Sequence, residues 1–169
     1  MIATIARRGR IFLLWALVAG GIAAAAWYAE RRTASLSGPA RVIDGDSLLV
    51  GGAEIRLFGI DAPEFRQTCA RGGEVWRCGA EAARVLRSAI GGREVSCSPR
   101  EQDRYGRMVA VCRAGGLDLG AAMIKGGFAL SYGAYEADER EARDARRGIW
   151  GSKFDPPAIW RAKHPRRER

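Results

Sequence analysis

"SLLVGGAEIRLFGIDAPE", residues 47–64, decides how the chain is read. Leu48 to Val50 and Ala53 to Phe58 are two runs of strand-forming residues joined by Gly51-Gly52, the pattern of a hairpin. The second run then changes character. Arg56 lies within an apolar strand, where an unpaired charge is costly. Asp61 and Glu64 follow at once, three residues apart and separated by Pro63.

Further strands and helices follow from local pattern. "ARVIDGDS", 40–47, supplies a strand and two more carboxylates, Asp44 and Asp46. Residues 66–79 read as a loop. "GAEAARVLRSAIGG", 79–92, has apolar residues at helical spacing and a double-glycine stop. "REVSC", 93–97, and "RMVAVC", 107–112, flank the turn "DRYG" at 103–106. Residues 117–127 and 136–148 read as two more helices, the latter rich in opposite charges four apart. The proline- and tryptophan-containing exit after 148 packs back on the domain. Five short strands with an inserted helix make an α+β fold: a five-stranded OB-type β-barrel with about three helices, plus an N-terminal apolar helix.

The chain has 169 residues and a net charge of +9. Residues 1–38 and 161–169 each carry +4, while residues 39–160 carry only +1. The basic surplus therefore lies in the tails and says little about the ligand of the core. Residues 11–28 are uncharged for 18 positions and follow Arg7, Arg8 and Arg10. A helix of that length spans roughly 27 Å, close to a bilayer's hydrocarbon thickness. Two readings stand: an uncleaved anchor, or a signal peptide cut near Ala23–Ala26. In both, the remainder is exported. The division read from the sequence is an anchor or signal segment over 1–30, a linker over 31–39, a domain over 40–160 and a basic tail over 161–169. The place expected for the protein is a bacterial-type inner membrane facing the periplasm or exterior, or secretion if the leader is cleaved.

Four cysteines fit an exported domain held by disulfides, and no CxxC spacing offers a zinc site. Cys97 and Cys112 are equidistant from the centre of the 103–106 turn, so they face each other across the hairpin, at a separation a disulfide spans. Cys69 and Cys78 then pair, closing a loop of about ten residues.

The sole histidine, His164, lies in the basic tail. A histidine base, a histidine-ligated metal and a Ser-His-Asp triad are thereby excluded from the core. Carboxylates and arginines remain. Acids converging from two chain segments repel one another unless a cation neutralises them, and an oxygen-rich site suits Ca²⁺ or Mg²⁺. Arginine forms two-pronged bonds to phosphate oxygens, and Arg56 is joined by Arg107 just after the "DRYG" turn. A metal, a carboxylate and two arginines are parts for the attack of water on a phosphodiester.

"IDGDS", "IRLFGIDAPE" and "DRYGR", with the late "RRGIW" and "FDPPAIWR", resemble the staphylococcal nuclease family in order and spacing. The resemblance implies an OB-type barrel that cleaves DNA and/or RNA with Ca²⁺. It implies that Asp46, Asp61 and the backbone carbonyl of Ala62 hold the metal. Glu64 would activate or position the attacking water, and Arg56 and Arg107 would bind the phosphate. Asp44 would stand behind Asp46. The family's best-known member has Thr at the positions of Ala62 and Ser47, so a hydroxyl contact at Ala62 is lost while a carbonyl ligand survives. Tyr105 and Tyr135 are candidate substrate contacts. The competing reading is a non-catalytic OB-fold module that binds nucleic acid or protein. The other expected contact is the membrane, through residues 11–28.

Overall fold

The structure is a computed structural model that describes Trp15, residues 20–22 and residues 35–165. The chain divides into two units, Met1–Ala34 and Ser35–Arg169. The apolar span expected over 11–28 lies largely outside the described residues; within it Trp15 and residues 20–22 are helical. Among the described residues no helix is long and apolar enough to cross a membrane. The second unit carries every candidate site residue.

Strands β1 (Leu36–Gly38), β2 (Ala40–Val42), β3 (Ser47–Val50), β4 (Ala53–Leu57), β8 (Val95–Gln102), β9 (Met108–Ala114) and β10 (Leu117–Asp118) form the main sheet. Its order is β1-β8-β9-β4-β3-β2, with β10 attached to β9. All pairings are antiparallel except β4 with β9. Two small sheets flank it: β5 (Ile60–Asp61) with β11 (Leu130–Ser131), and β6 (Cys69–Arg71) with β7 (Glu74–Trp76).

The expected α+β fold is present, but the main sheet has seven short strands where the sequence predicts an OB-type barrel of five. The hydrogen-bonded path is open, and its two ends, β1 and β2, are successive pieces of one segment separated by Pro39. Proline has no N–H to give to a ladder, so the segment changes partners there, from β8 to β3. Residues 36–38, read as linker, are therefore part of the sheet. The 66–79 loop also holds more than expected. Its β6–β7 hairpin turns at Gly72 and Gly73, whose φ values of +60° and +92° suit glycine.

The described residues of the second unit form four α-helices, α1 (Cys78–Ile90), α2 (Leu119–Lys125), α3 (Glu136–Asp144) and α4 (Pro157–Lys163), with a 3-10 turn at Gly148–Gly151. The first ends where the glycine pair predicts, with Gly91 at φ +58°. The second is capped by Asp118, whose side chain accepts the Ala121 N–H at 3.1 Å. The fourth was not expected. It runs into residues assigned to the basic tail and starts with Pro157 in its first turn.

The core packs Ala82, Ala83, Leu86 and Ile90 of α1 against Leu48, Val50, Ile55 and Leu57 of the sheet. A smaller cluster joins the cystine Cys69–Cys78 to Ile149, Trp76, Leu130, Trp150 and Phe154. Both expected disulfides are present, and no cysteine is free. Cys97 pairs with Cys112 in register. The 103–106 turn is present, its Gly106 N–H bonding the Asp103 carbonyl at 3.0 Å, but Arg107 adds one residue before Gln102 and Met108 pair. A bulge between Pro99 and Glu101 then shifts the register by one and brings the cysteines opposite each other.

Candidate functional site

The site forms where β3, β4 and β5 begin or end. Asp46 immediately precedes β3, Arg56 lies near the end of β4, and Asp61 closes β5. Register places Ser47 opposite Arg56, so Asp46 arrives beside the guanidinium. A single nitrogen of Arg56, Nη2, lies 3.0 Å from Asp46 Oδ2 and 2.9 Å from Asp61 Oδ1. The strand charge that looked costly is thus held between two acids.

Asp46 is buried, with 4% of its surface exposed. Its Oδ1 accepts the Ser47 hydroxyl at 3.0 Å and its Oδ2 accepts the Ala62 N–H at 3.1 Å. Asp44 lies behind it, accepting the Asp46 N–H at 3.1 Å. Burial, and then the charge of Asp44, push the Asp46 carboxyl up to about 7, against the pull of Arg56 and the Ala62 N–H. Gly45 allows this crowding, since a methyl there would press on the side chains of Ala62 and Ala82.

Glu64 sits in the turn after β5. Its backbone N–H bonds to Gln67 Oε1 at 3.2 Å, and its carbonyl accepts the Gln67 N–H at 2.7 Å. Gln67 is fully buried and also donates through Nε2 to the Asp155 carbonyl at 2.7 Å. The turn carrying Glu64 is therefore tied to the segment that leads into α4.

That segment delivers a residue that sequence reasoning missed. Arg161 of α4 places Nη1 at 2.9 Å from Asp61 Oδ1 and Nη2 at 3.1 Å from Asp61 Oδ2. The same Nη1 lies 3.2 Å from Glu64 Oε1. Burial works against the charged guanidinium, but Asp61 and Glu64 outweigh it and hold Arg161 above its ordinary value. The sequence did hold a signal: Pro156-Pro157 is a helix start, and Arg161 stands one turn further on.

Asp46, Asp61, Glu64, Arg56 and Arg161 are thus brought together. Arg107 takes a different position. Because β4 and β9 pair Ile55 with Met108, Arg107 falls beside Glu54, on the same side of β4 as Arg56 but one two-residue step away. Its guanidinium bonds Glu54 at 3.1 Å and Asp103 at 2.8 Å. Tyr105, at the turn, is 70% exposed, with the Arg104 and Arg107 guanidiniums 4.9 and 5.7 Å from its ring centre. Tyr135 is partly buried, and its hydroxyl bonds Asp118 at 3.2 Å. Burial, and then the charge of Asp118, push its phenol up to about 12.

The donor set suits a hard cation. Its side-chain atoms are carboxylate oxygens, two of the acids are buried, and Ala62's peptide is in contact with Asp46. Asp46, Asp61 and Glu64, with Asp44 behind Asp46, outnumber Arg56 and Arg161, the two arginines bonded to them. Among the described residues no three acids, cysteines or histidines stand together as a ready cage. Arg161, bonded to both oxygens of Asp61, occupies the position of a counter-ion.

The family model described as staphylococcal nuclease homologue matches residues 54–152. A succinoglycan biosynthesis protein, ExoI, of Rhizobium meliloti is 37% identical over 122 residues, covering 67% of this chain and 63% of that protein. An uncharacterized endonuclease of Escherichia coli O157:H7 is 34% identical over 133 residues, covering 72% and 81%. A probable staphylococcal-like nuclease, CAN1, of rice is 32% identical over 124 residues, covering 69% and 35%. The chain thus spans 63% of ExoI and 35% of the rice protein.

Proposed function

Given that the chain belongs to the staphylococcal nuclease homologue family, we propose that it is an exported, membrane-anchored nuclease that hydrolyses phosphodiester bonds of DNA and/or RNA with Ca²⁺. One observation carries this reading: Asp46 and Asp61 converge on Arg56, with Glu64 joined to the same cluster. A divalent cation held by Asp46, Asp61 and the Ala62 carbonyl would supply Lewis-acid stabilisation of the charge that grows on the phosphate.

The protein's own groups divide the remaining work. Arg56 is fixed by the two acids and presents a planar guanidinium to an equatorial phosphate oxygen. Glu64 stands on a turn braced by Gln67, from which it takes the proton of, or orients, the attacking water. Arg107, one step along β4, meets the phosphate from the side of Tyr105.

The OB-type barrel remains our reading of the fold. Its support is the parallel β4–β9 pair and the segment 36–42, which supplies both margins of the sheet. Export is supported by the two disulfides, which persist in oxidising compartments. We place the protein in a bacterial-type inner membrane, facing the periplasm or exterior, through residues 11–28.

The test is release of acid-soluble nucleotides from single-stranded DNA and from RNA by the full chain, with Ca²⁺ and with chelator. Calcium-dependent release absent from the Glu64→Ala, Arg107→Ala double variant is expected. Metal-independent binding without release, unchanged in Glu64→Gln, would instead identify a binding module.

A further inference from the structure

Three arginine bonds fall on the two oxygens of Asp61, and two of them come from Arg161. Oδ1 accepts both Arg56 Nη2 and Arg161 Nη1, each at 2.9 Å. Oδ2 accepts Arg161 Nη2 at 3.1 Å. A carboxylate oxygen has two lone pairs, so Oδ1 is saturated in this arrangement. A cation that binds through Oδ1 must displace one of these donors, and one that binds through Oδ2 must share that oxygen with a like charge.

The two arginines differ in how firmly they are held. Arg56 stands within β4, is 23% exposed along its side chain, and is also bonded to Asp46. Arg161 is 40% exposed and sits on a seven-residue terminal helix. The approach to that helix is anchored by contacts that do not involve Arg161. Ala70 and Lys153 exchange two backbone hydrogen bonds at 2.9 and 2.8 Å, and the Asp155 carbonyl accepts from Gln67 Nε2 at 2.7 Å. Arg161 can therefore leave Asp61 while the base of its segment stays in place.

We propose that Arg161 is a tethered counter-ion that competes with the divalent cation for Asp61 and Glu64, so that the docking of α4 sets the metal affinity of the site. The inference rests on the metal-binding role proposed above for Asp46 and Asp61. Linkage makes the competition reciprocal: what α4 docking takes from metal affinity, metal binding takes from α4 docking. A guanidinium with a purely structural role would behave in the opposite way, because its loss would disorder the acids and weaken the metal.

The experiment is calorimetric titration of the full chain with Ca²⁺, for the wild type, Arg161→Gln and Arg161→Lys, with circular dichroism confirming the fold of each. Arg161→Gln is expected to bind Ca²⁺ tighter by roughly tenfold or more, within the usual range of coupling between sites. Arg161→Lys keeps the charge but not the fork, so it falls between the two; it also serves if the Gln variant does not fold. In the wild type, amide exchange across 157–163 should quicken when Ca²⁺ is added. Equal or weaker binding by Arg161→Gln than by the wild type overturns the competition and leaves the metal site standing. Failure of all three proteins to bind Ca²⁺ overturns both.

Discussion

Arg161 grips Asp61 with two nitrogens, at 2.9 and 3.1 Å, across a sequence separation of 100 residues. The contact joins the end of the domain to the acid at the heart of the site. It makes the exit segment part of the candidate site rather than a trailing tail. The neighbouring residues can be tested one by one.

Arg56→Lys should separate stability from activity. One arginine nitrogen serves both acids, and a lysine ammonium can take that place, so the melting temperature should change little. The planar fork is lost, and nuclease turnover should fall by about a hundredfold, as when one transition-state donor is removed. Initial rates with single-stranded DNA, beside thermal unfolding, check it. Near-normal turnover would count against phosphate contact by Arg56.

Gln67→Leu should destabilise the domain by roughly 1–3 kcal/mol, because the Glu64 N–H and the Asp155 carbonyl lose a buried partner. The turn bearing Glu64 loosens with it, so turnover should drop as well. Urea unfolding and steady-state rates measured on one preparation would show both losses together.

Gly79→Ala should be among the most damaging single changes near the site. A methyl there would collide with the Glu64 carbonyl oxygen, which is backbone and cannot swing aside. Overpacking of this kind costs about 1–3 kcal/mol or more. A variant with wild-type stability and activity would show that this close approach is not required.

Reduction of the disulfides should cost about 3 kcal/mol for each bridge. The Cys69–Cys78 bridge should also matter to activity. It spans the β6–β7 hairpin, and Ala70 of that hairpin pairs with Lys153 on the way to Arg161. Cys69→Ser, Cys78→Ser should therefore lose both stability and activity. An unchanged denaturation midpoint after reduction would contradict the bracing role.

Alkaline titration should expose the Tyr135–Asp118 contact. The phenol is held protonated up to about 12 in the folded protein, against about 10 when unfolded. Its contribution is complete below pH 10 and fades as the pH rises toward 12. The stability gap between the wild type and Tyr135→Phe should therefore narrow over that interval. A constant gap would remove the assignment.

Much of this molecule could be read from its chain. The β3–β4 hairpin, the amphipathic α1 and both disulfide pairings follow from local pattern, because the alternation of apolar residues and the positive φ of glycine act over a few neighbours. The conjunction of Asp46, Asp61 and Glu64 was legible for the same reason: each acid lies within three residues of a strand end, and strand pairing does the rest. The Cys97–Cys112 register was anticipated from a symmetric four-residue turn. That turn is present with one extra residue, Arg107, after it, and a compensating bulge at Pro99–Glu101 restores the register.

The amino-acid sequence by itself determined which residues carry charge into the site and which cysteines meet. Tertiary structure alone decided that Arg107 reaches Glu54, that β1 joins the sheet, and that Arg161 reaches Asp61. The physical reason is range. Hydrophobic period and turn chemistry are properties of adjacent residues, whereas the partner of a long, flexible, charged side chain is set by how distant segments pack.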